Sequence, residues 1–409
     1  MTHAATRLAA VKPSASAWIS QAARAARARG EDVIDLGLGE PDFDTPEHII
    51  EAAHAAAKAG ETRYPPTDGT ARLKAAIIAK FAHENALTYA PDQVIVSNGA
   101  KQVIFNAMMA TLEPGDEVIL PAPYFGQYKD IVLILGGVPV AVPCPAADGF
   151  RLTAARLEAA MTTRTRWLFL NLPSNPAGAV YSDAELVALG EVLGNHPRVL
   201  VLSDEIYEHI LFDDRLFRSF AAACPALMNR VLTVNGVSKA YAMTGWRIGY
   251  GAGHPDLIAA MTKVQSQISS GACAIAQAAA AAALEGTQDE VRRFCKAFEA
   301  RRDLVVARVA DIPGLTLDPP GGAFYAFIGC AGLIGASTPD GRRIESDADV
   351  TAWLLKAGGI AAVPGSAYGL SPFFRISTAA SQTVLATAMD RIEAAVAQLV
   401  RTEETGDQE

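Results

Sequence analysis

The sequence predicts an α/β protein with a large domain on a mainly parallel sheet and a smaller α+β domain after it. Three observations carry that prediction. Short apolar runs without polar alternation recur from about residue 93 to 236, as strands buried on both faces require. Helical stretches separate most of them, which is the pattern of a sheet covered on both sides. Beyond Arg292 the pattern changes to strands set among fewer helices. With 409 residues the chain exceeds one small core and is long enough to enclose a pocket between domains.

Taken in order, "SAWISQAARAARARG" (Ser16–Gly30) reads as a surface helix, although an Ala- and Arg-rich, acid-poor start also resembles some mitochondrial presequences. Thr45, Pro46 and Glu47 predict an N-cap, a first-position proline and a first-turn acid, with Gly60 closing that helix. "QVIVS" (Gln93–Ser97) predicts a strand, followed by a helix over 100–112 that "EPGD" ends. The runs "EVILPAP", "PVAVP", "RWLFLN", "RVLVLSD" and "VLTVNG" predict the further strands. "AIAQAAAAAALEG" (Ala274–Gly286) predicts a closely packed helix, since alanine is the best helix former. "GLTLDPPGGAFYAFIG" predicts paired strands about a Pro-Gly turn, and "GIAAVPGSAYG" and "FFRIST" further short strands. The expected division is an N-terminal segment 1–46 joining the small domain, a large domain 47–291 and a small domain 292–409. The tail "RTEETGDQE" is expected to be frayed.

Composition excludes several classes. Half the residues are hydrophobic, 19% are charged and the net charge is −9, with no basic cluster, so neither nucleic acid nor an anionic membrane is an expected partner. No apolar run is long enough to span a bilayer. Cys144, Cys224, Cys273, Cys295 and Cys330 form no C-x-x-C pair and predict buried free thiols in a reducing, cytoplasmic setting. The histidines show no metal-ligand spacing, so no metal is predicted, and His209 reads as structural. Trp18, Trp167 and Trp353 read as packing residues, and Trp246 as a support for Arg247. "GYGAGH" lacks the dinucleotide-binding spacing, which argues against a nicotinamide enzyme.

Polar residues stand where the apolar strands end, and in such sheets ligands bind there. Asp204 closes "RVLVLSD", and one helical turn would bring Tyr207 to its face. Asn175 follows "LFLNLPS". "SNGAKQ" places Gly99 and Ala100 at a strand-to-helix junction whose backbone N–H groups suit an anion. Lys101 then lies in a first helical turn, where the dipole disfavours a cation; it either meets an anion or reaches into water. Lys239 sits among small and apolar residues in "NGVSKAYAMTGWRIGY", eight positions before Arg247. A buried cation needs a purpose. A phosphate would take the helix start, Ser238 and Arg247. A protonated ring nitrogen would take Asp204, a ring oxygen Tyr207 and Asn175, and a Schiff base Lys239. Pyridoxal 5'-phosphate has all of these handles.

With these residues, the sequence resembles the class I pyridoxal-phosphate-dependent aminotransferases of the aspartate aminotransferase type. "GVSKAYAMTGWRIG" fits that family's attachment-site pattern at every restricted position. "GLGEPDFDTP", "NLPSNPAGAV", "SDEIYEH" and "GGAFYAF" resemble its segments in the expected order. The likeness runs from "KPSAS" at Lys12 through the helix after Arg375, which is expected to leave no room for the DNA-binding domain of regulators built on this fold.

The resemblance implies fold type I, with a mainly parallel seven-stranded sheet, and a homodimer with shared sites. It implies that Lys239 carries the cofactor and moves a proton between the substrate Cα and the cofactor C4′. Asp204 would hold the ring nitrogen protonated, and Tyr207 and Asn175 would bond the ring oxygen. Gly99, Ala100, Lys101, Ser238 and Arg247 would surround the phosphate, with Tyr64 reaching that of the neighbouring subunit. Arg375 would fork onto the substrate α-carboxylate beside Gly39 and Asn175. Two departures stand out. Phe125 occupies the ring-stacking position where many aspartate aminotransferases have Trp, which removes an indole N–H. Gly236 stands where some relatives have a phosphate-binding Ser.

Lys101 matches a lysine that contacts the distal carboxylate of acidic substrates in one bacterial branch. The expected reaction is therefore ping-pong amino transfer between aspartate or glutamate and a 2-oxo acid such as 2-oxoglutarate. Aromatic or neutral amino acids, prephenate, or a C–S lyase on the same fold remain alternatives.

Overall fold

The computed structural model describes residues 3–11 and 13–400, so Lys12 and the tail 401–409 lie outside the described residues. At its centre is a seven-stranded sheet in the spatial order Val94–Ser97, Gly249–Ala252, Val231–Gly236, Leu200–Asp204, Thr165–Asn171, Glu117–Ala122 and Val138–Pro143. Gly249–Ala252 pairs antiparallel with both its neighbours, Val94–Ser97 and Val231–Gly236; the remaining pairs are parallel.

The strand period of two explains the layers. Val94, Val96, Leu168, Leu170 and Val201 face a core shared with the helices Glu47–Lys58, Ala71–Asn85, Asp183–Gly194 and Ala274–Glu285. The alternate residues Ile95, Val118, Leu120, Trp167, Phe169 and Leu202 face the opposite core, against Ala100–Thr111, Gln127–Ile134 and Pro255–Ile268. The alanine-rich helix packs its small side chains against Glu47–Lys58, with Ala279 and Ala280 fully buried.

The C-terminal third builds a three-stranded antiparallel sheet in the order Val363–Pro364, Phe373–Ser377, Tyr325–Gly329. The helices Asp289–Ala310, Asp347–Gly358 and Gln382–Ala397 supply its core. Near the start of the chain, Ile34–Asp35 pairs in parallel with Ile360–Ala361, and Leu36 joins the same core. The helix Asp289–Ala310 runs unbroken through residue 292, and among the described residues no helix is long and apolar enough to cross a membrane.

Several local expectations change. The helix after Thr45 starts at Glu47 with Pro46 extended in the N-cap position, because the Thr45 hydroxyl is taken elsewhere. It donates to the Ala242 carbonyl at 2.7 Å and accepts from the Trp246 indole at 3.0 Å. "GLTLDPPGGAFYAFIG" forms no hairpin of its own. Pro319 and Pro320 lack N–H donors, only a single Thr316–Gly329 bridge forms, and Tyr325–Gly329 pairs with Phe373–Ser377 instead. Residues 206–209 form a turn, not a helix. Trp18 is 64% exposed, so it is not a packing residue within this chain; it lies on the outer side of a helix that buries Ile19, Ala23 and Ala26. Cys273, at the start of the alanine-rich helix, is exposed and Cys295 partly so, whereas the other cysteines are buried.

Gly249 shows how closely sheet and helix start approach. A Cβ there would lie 2.1 Å from the Ala100 nitrogen and 2.4 Å from the Gly99 carbonyl carbon. Both are backbone atoms and cannot rotate away. Gly249→Ala is therefore expected to lower unfolding free energy by about 1–3 kcal/mol in denaturant titration.

Candidate active site

At the carboxyl ends of the central strands lies a cavity of about 320 Å³. Its lining brings together Gly39, Ala100, Lys101, Phe125, Asn175, Asp204, Tyr207, Ser238, Lys239, Arg247 and Arg375. Gly99 lies just behind, where an added Cβ would stand 2.2 Å from Arg247 Nη2. That glycine, at φ +83°, forms a cradle a side chain would fill. Tyr64 is outside this cavity: it is 93% exposed and borders a separate surface hollow with Ser269–Ile275.

Each side chain is placed by the end of an element. Asp204 ends its strand and is buried; its Oδ2 accepts the Tyr128 hydroxyl at 2.5 Å and its Oδ1 the Ile206 N–H at 3.3 Å. Burial pushes its pKa up to about 6, against these hydrogen bonds and the nearby Lys239 charge. The Tyr207 and Tyr325 hydroxyls are 2.8 Å apart, and burial holds the Tyr207 phenol neutral. Asn175 accepts from Arg375 Nη1 at 3.0 Å through its side-chain oxygen.

Lys239 follows the strand Val231–Gly236 and its ammonium donates to the Gly39 carbonyl at 2.5 Å. Burial first, then the Arg375 charge, brings its pKa down to about 8; Arg247 and Lys101 add to the repulsion and Glu40 opposes it. Arg375, 2% exposed, donates to neutral acceptors: Asn175, the Gly37 carbonyl at 2.5 Å and Ser16 at 3.4 Å. Its guanidinium lies 4.5 Å from the Tyr325 ring centre, and its Nε has no partner among the described residues. A buried guanidinium with a free donor can take an anionic acceptor.

Arg247 stands in the left-handed region at φ 57° and donates to the Thr244 carbonyl at 2.8 Å. Trp246 bonds Thr45, as above. Lys101 opens to solvent, yet surrounding protein and Arg247 lower its pKa; its ammonium lies 5.6 Å from the Phe125 ring centre. Gly236 has no room for the serine of some relatives, since a Cβ would meet the Ile248 carbonyl oxygen at 2.8 Å.

Sequence reasoning missed Tyr128, Tyr325, Ser14, Ser16 and Gln127, which also line the cavity. The signal that existed was the aromatic residues Tyr128, three positions after Phe125, and Tyr325, inside "GGAFYAF".

Residues 31–392 match the family described as aminotransferase class I and II. The chain belongs to that family, and it is a transaminase. It is 54% identical over 391 residues to the aspartate aminotransferase of Rhizobium meliloti (strain 1021), covering 96% of this chain and 95% of that protein. It is 50% identical to the aspartate/prephenate aminotransferase of Cereibacter sphaeroides (strain ATCC 17029), covering 96% and 98%. Among solved structures, the aspartate aminotransferase from Rhizobium meliloti is similar with a TM-score of 0.95 and 53% identity, over 98% of this chain and 100% of that one. The mainly parallel seven-stranded fold read from the sequence is the one found.

Lys239 costs the folded transaminase stability, because folding buries its charged form beside other cations. The cost is full below pH 8, shrinks as pH rises, and vanishes above the ordinary 10.5. Lys239→Met should therefore raise the unfolding free energy of the ligand-free protein at pH 7, by ~3 kcal/mol at most, with the gain fading between pH 8 and 10.5. Denaturant titrations across that range check the sign.

Proposed function

We propose that this transaminase binds pyridoxal 5'-phosphate and moves the amino group of aspartate or glutamate to a 2-oxo acid such as 2-oxoglutarate. The observation that carries the reading is one cavity with Lys239 of lowered pKa, buried Asp204 at its floor and buried Arg375 with a free Nε. The cofactor fits these groups. Asp204 suits a protonated ring nitrogen, and Tyr207 and Asn175 suit a ring oxygen. Phe125 offers a ring face, and the Gly99–Ala100 helix start with Ser238, Lys101 and Arg247 suits the phosphate. Bound there, the cofactor would supply an electron sink for the pair released at the substrate Cα.

In this reading Arg375 grips the substrate α-carboxylate, with Gly39 and Asn175 beside it. Lys239, near neutrality, would take the proton from the substrate Cα and deliver it to C4′ of the bound cofactor. Asp204 holds the ring nitrogen proton throughout, and Tyr128 keeps that carboxyl oriented. Lys101 at the open side meets the distal carboxylate of an acidic substrate.

We further infer a cytoplasmic homodimer in which the exposed Tyr64 reaches the phosphate of the neighbouring subunit, and the division 1–46, 47–291 and 292–409. A second acceptor, prephenate, is favoured by the relative named for both substrates.

Two substitutions test the roles. Arg375→Lys should lower kcat/KM about a hundredfold for every amino donor, because a single ammonium cannot fork onto a carboxylate. Lys101→Ser should lower kcat/KM for aspartate and glutamate at least about tenfold more than for alanine or phenylalanine. Equal losses across the panel would assign Lys101 to the phosphate alone.

A further inference from the structure

Behind the cavity, under Tyr207, lies a buried polar cluster that the reaction does not use. Glu208 and Lys80 are each 4% exposed, Asn85 6% and Asn235 2%. Lys80 donates to Glu208 through a short contact and to Asn85 Oδ1 at 2.7 Å. Asn85 Nδ2 donates to Glu208 Oε2 at 2.7 Å, and Asn235 Nδ2 to Glu208 Oε1 at 2.6 Å. Asn235 Oδ1 in turn accepts the Gly236 N–H at 2.7 Å. Both oxygens of this carboxylate are therefore engaged. At the edge, His209 lies 2.8 Å from Glu84, and Glu84 3.5 Å from Lys80. Glu84, Glu208 and His209 converge as metal ligands do, but the Lys80 ammonium already fills the cation's place.

The placement of Glu208 gives the cluster its meaning. It directly follows Tyr207, in the turn after Asp204. Asn235 lies in the strand end that leads to Lys239. The Glu205 N–H also donates to the Val234 carbonyl at 2.8 Å, so backbone and side chain join the same two segments. Across that junction the Lys239 ammonium lies 6.0 Å from the Tyr207 ring centre. A buried lysine–glutamate pair adds little net stability over an apolar pair of the same size, so stability alone does not account for it. What the cluster does supply is directional bonds from a helix and a strand onto one carboxylate of the turn.

We propose that Glu208, with Lys80, Asn85 and Asn235, is a positioning unit that fixes the Tyr207 turn against the Lys239 strand and so sets the geometry between those two side chains. It acts through them and touches neither substrate nor cofactor. The inference rests on the reading of Lys239 and Tyr207 given above.

The test is the double substitution Lys80→Met with Glu208→Leu in the cofactor-loaded enzyme. The thermal midpoint should stay within about 4 °C of the parent protein. kcat should fall at least about tenfold with KM within about twofold, because an ångström of misplacement acts on the reacting step. The pH midpoint of kcat/KM should also move, which loss of stability alone would not cause. A folded double variant with parental kcat and pH midpoint overturns the proposal. If that variant does not fold, Asn235→Ala cuts the link and leaves the Lys80–Glu208 pair in place. It should show the same loss of kcat, and parental kcat there overturns the proposal as well. Lys239→Ala separates the two levels. Turnover surviving in it removes the reading of Lys239, and the positioning proposal with it. An inactive Lys239→Ala beside a double variant of parental activity removes only the positioning role.

Discussion

The site is organised around like charges held together: Lys239 and Arg375 share one buried cavity, and neither hydrogen-bonds to an acid. Their hydrogen bonds go to the Gly39 carbonyl, and to Asn175, Ser16 and the Gly37 carbonyl, all neutral. Burial and mutual repulsion lower the lysine pKa, which makes it a base near neutrality. The arginine stays charged and leaves a donor free for an anion. An acidic chain with net charge −9 thus encloses a cationic interior.

The fold makes this arrangement possible by ending several strands at one edge. Leu200–Asp204 brings the acid and Val231–Gly236 leads to the lysine; Val94–Ser97 leads to the helix start at Ala100. Gly236 and Gly249 are bare where backbones meet, and Gly99 where the Arg247 guanidinium packs, since a side chain at each would strike neighbouring protein atoms. The arginine comes from the C-terminal sheet, and Gly39 from the segment beside the strand Ile34–Asp35 that pairs with Ile360–Ala361. The cavity therefore draws on residues from both ends of the chain.

Much of this was legible in the sequence because it is local. Apolar strands, the polar residues at their ends and the lysine segment can each be read within a dozen residues. The partners that orient them could not be read that way. Tyr128 reaches Asp204 across 76 positions, Tyr207 meets Tyr325 across 118, and Ser16 meets Arg375 across 359. The Glu208 cluster escaped for the same reason, since Lys80 lies 128 positions away. The failed hairpin before Tyr325 has a different cause: strand propensity was right, but consecutive prolines left no donors to pair.

In the proposed reaction Lys239 holds a pyridoxal cofactor and an acidic amino acid reacts with it. The most direct measurement is the absorbance spectrum of the purified protein before and after aspartate is added. A visible band from lysine-bound cofactor should give way to the ultraviolet band of the aminated cofactor. A protein that shows no such band after incubation with pyridoxal 5'-phosphate, or a band that neither aspartate nor glutamate alters, would contradict the proposed reaction.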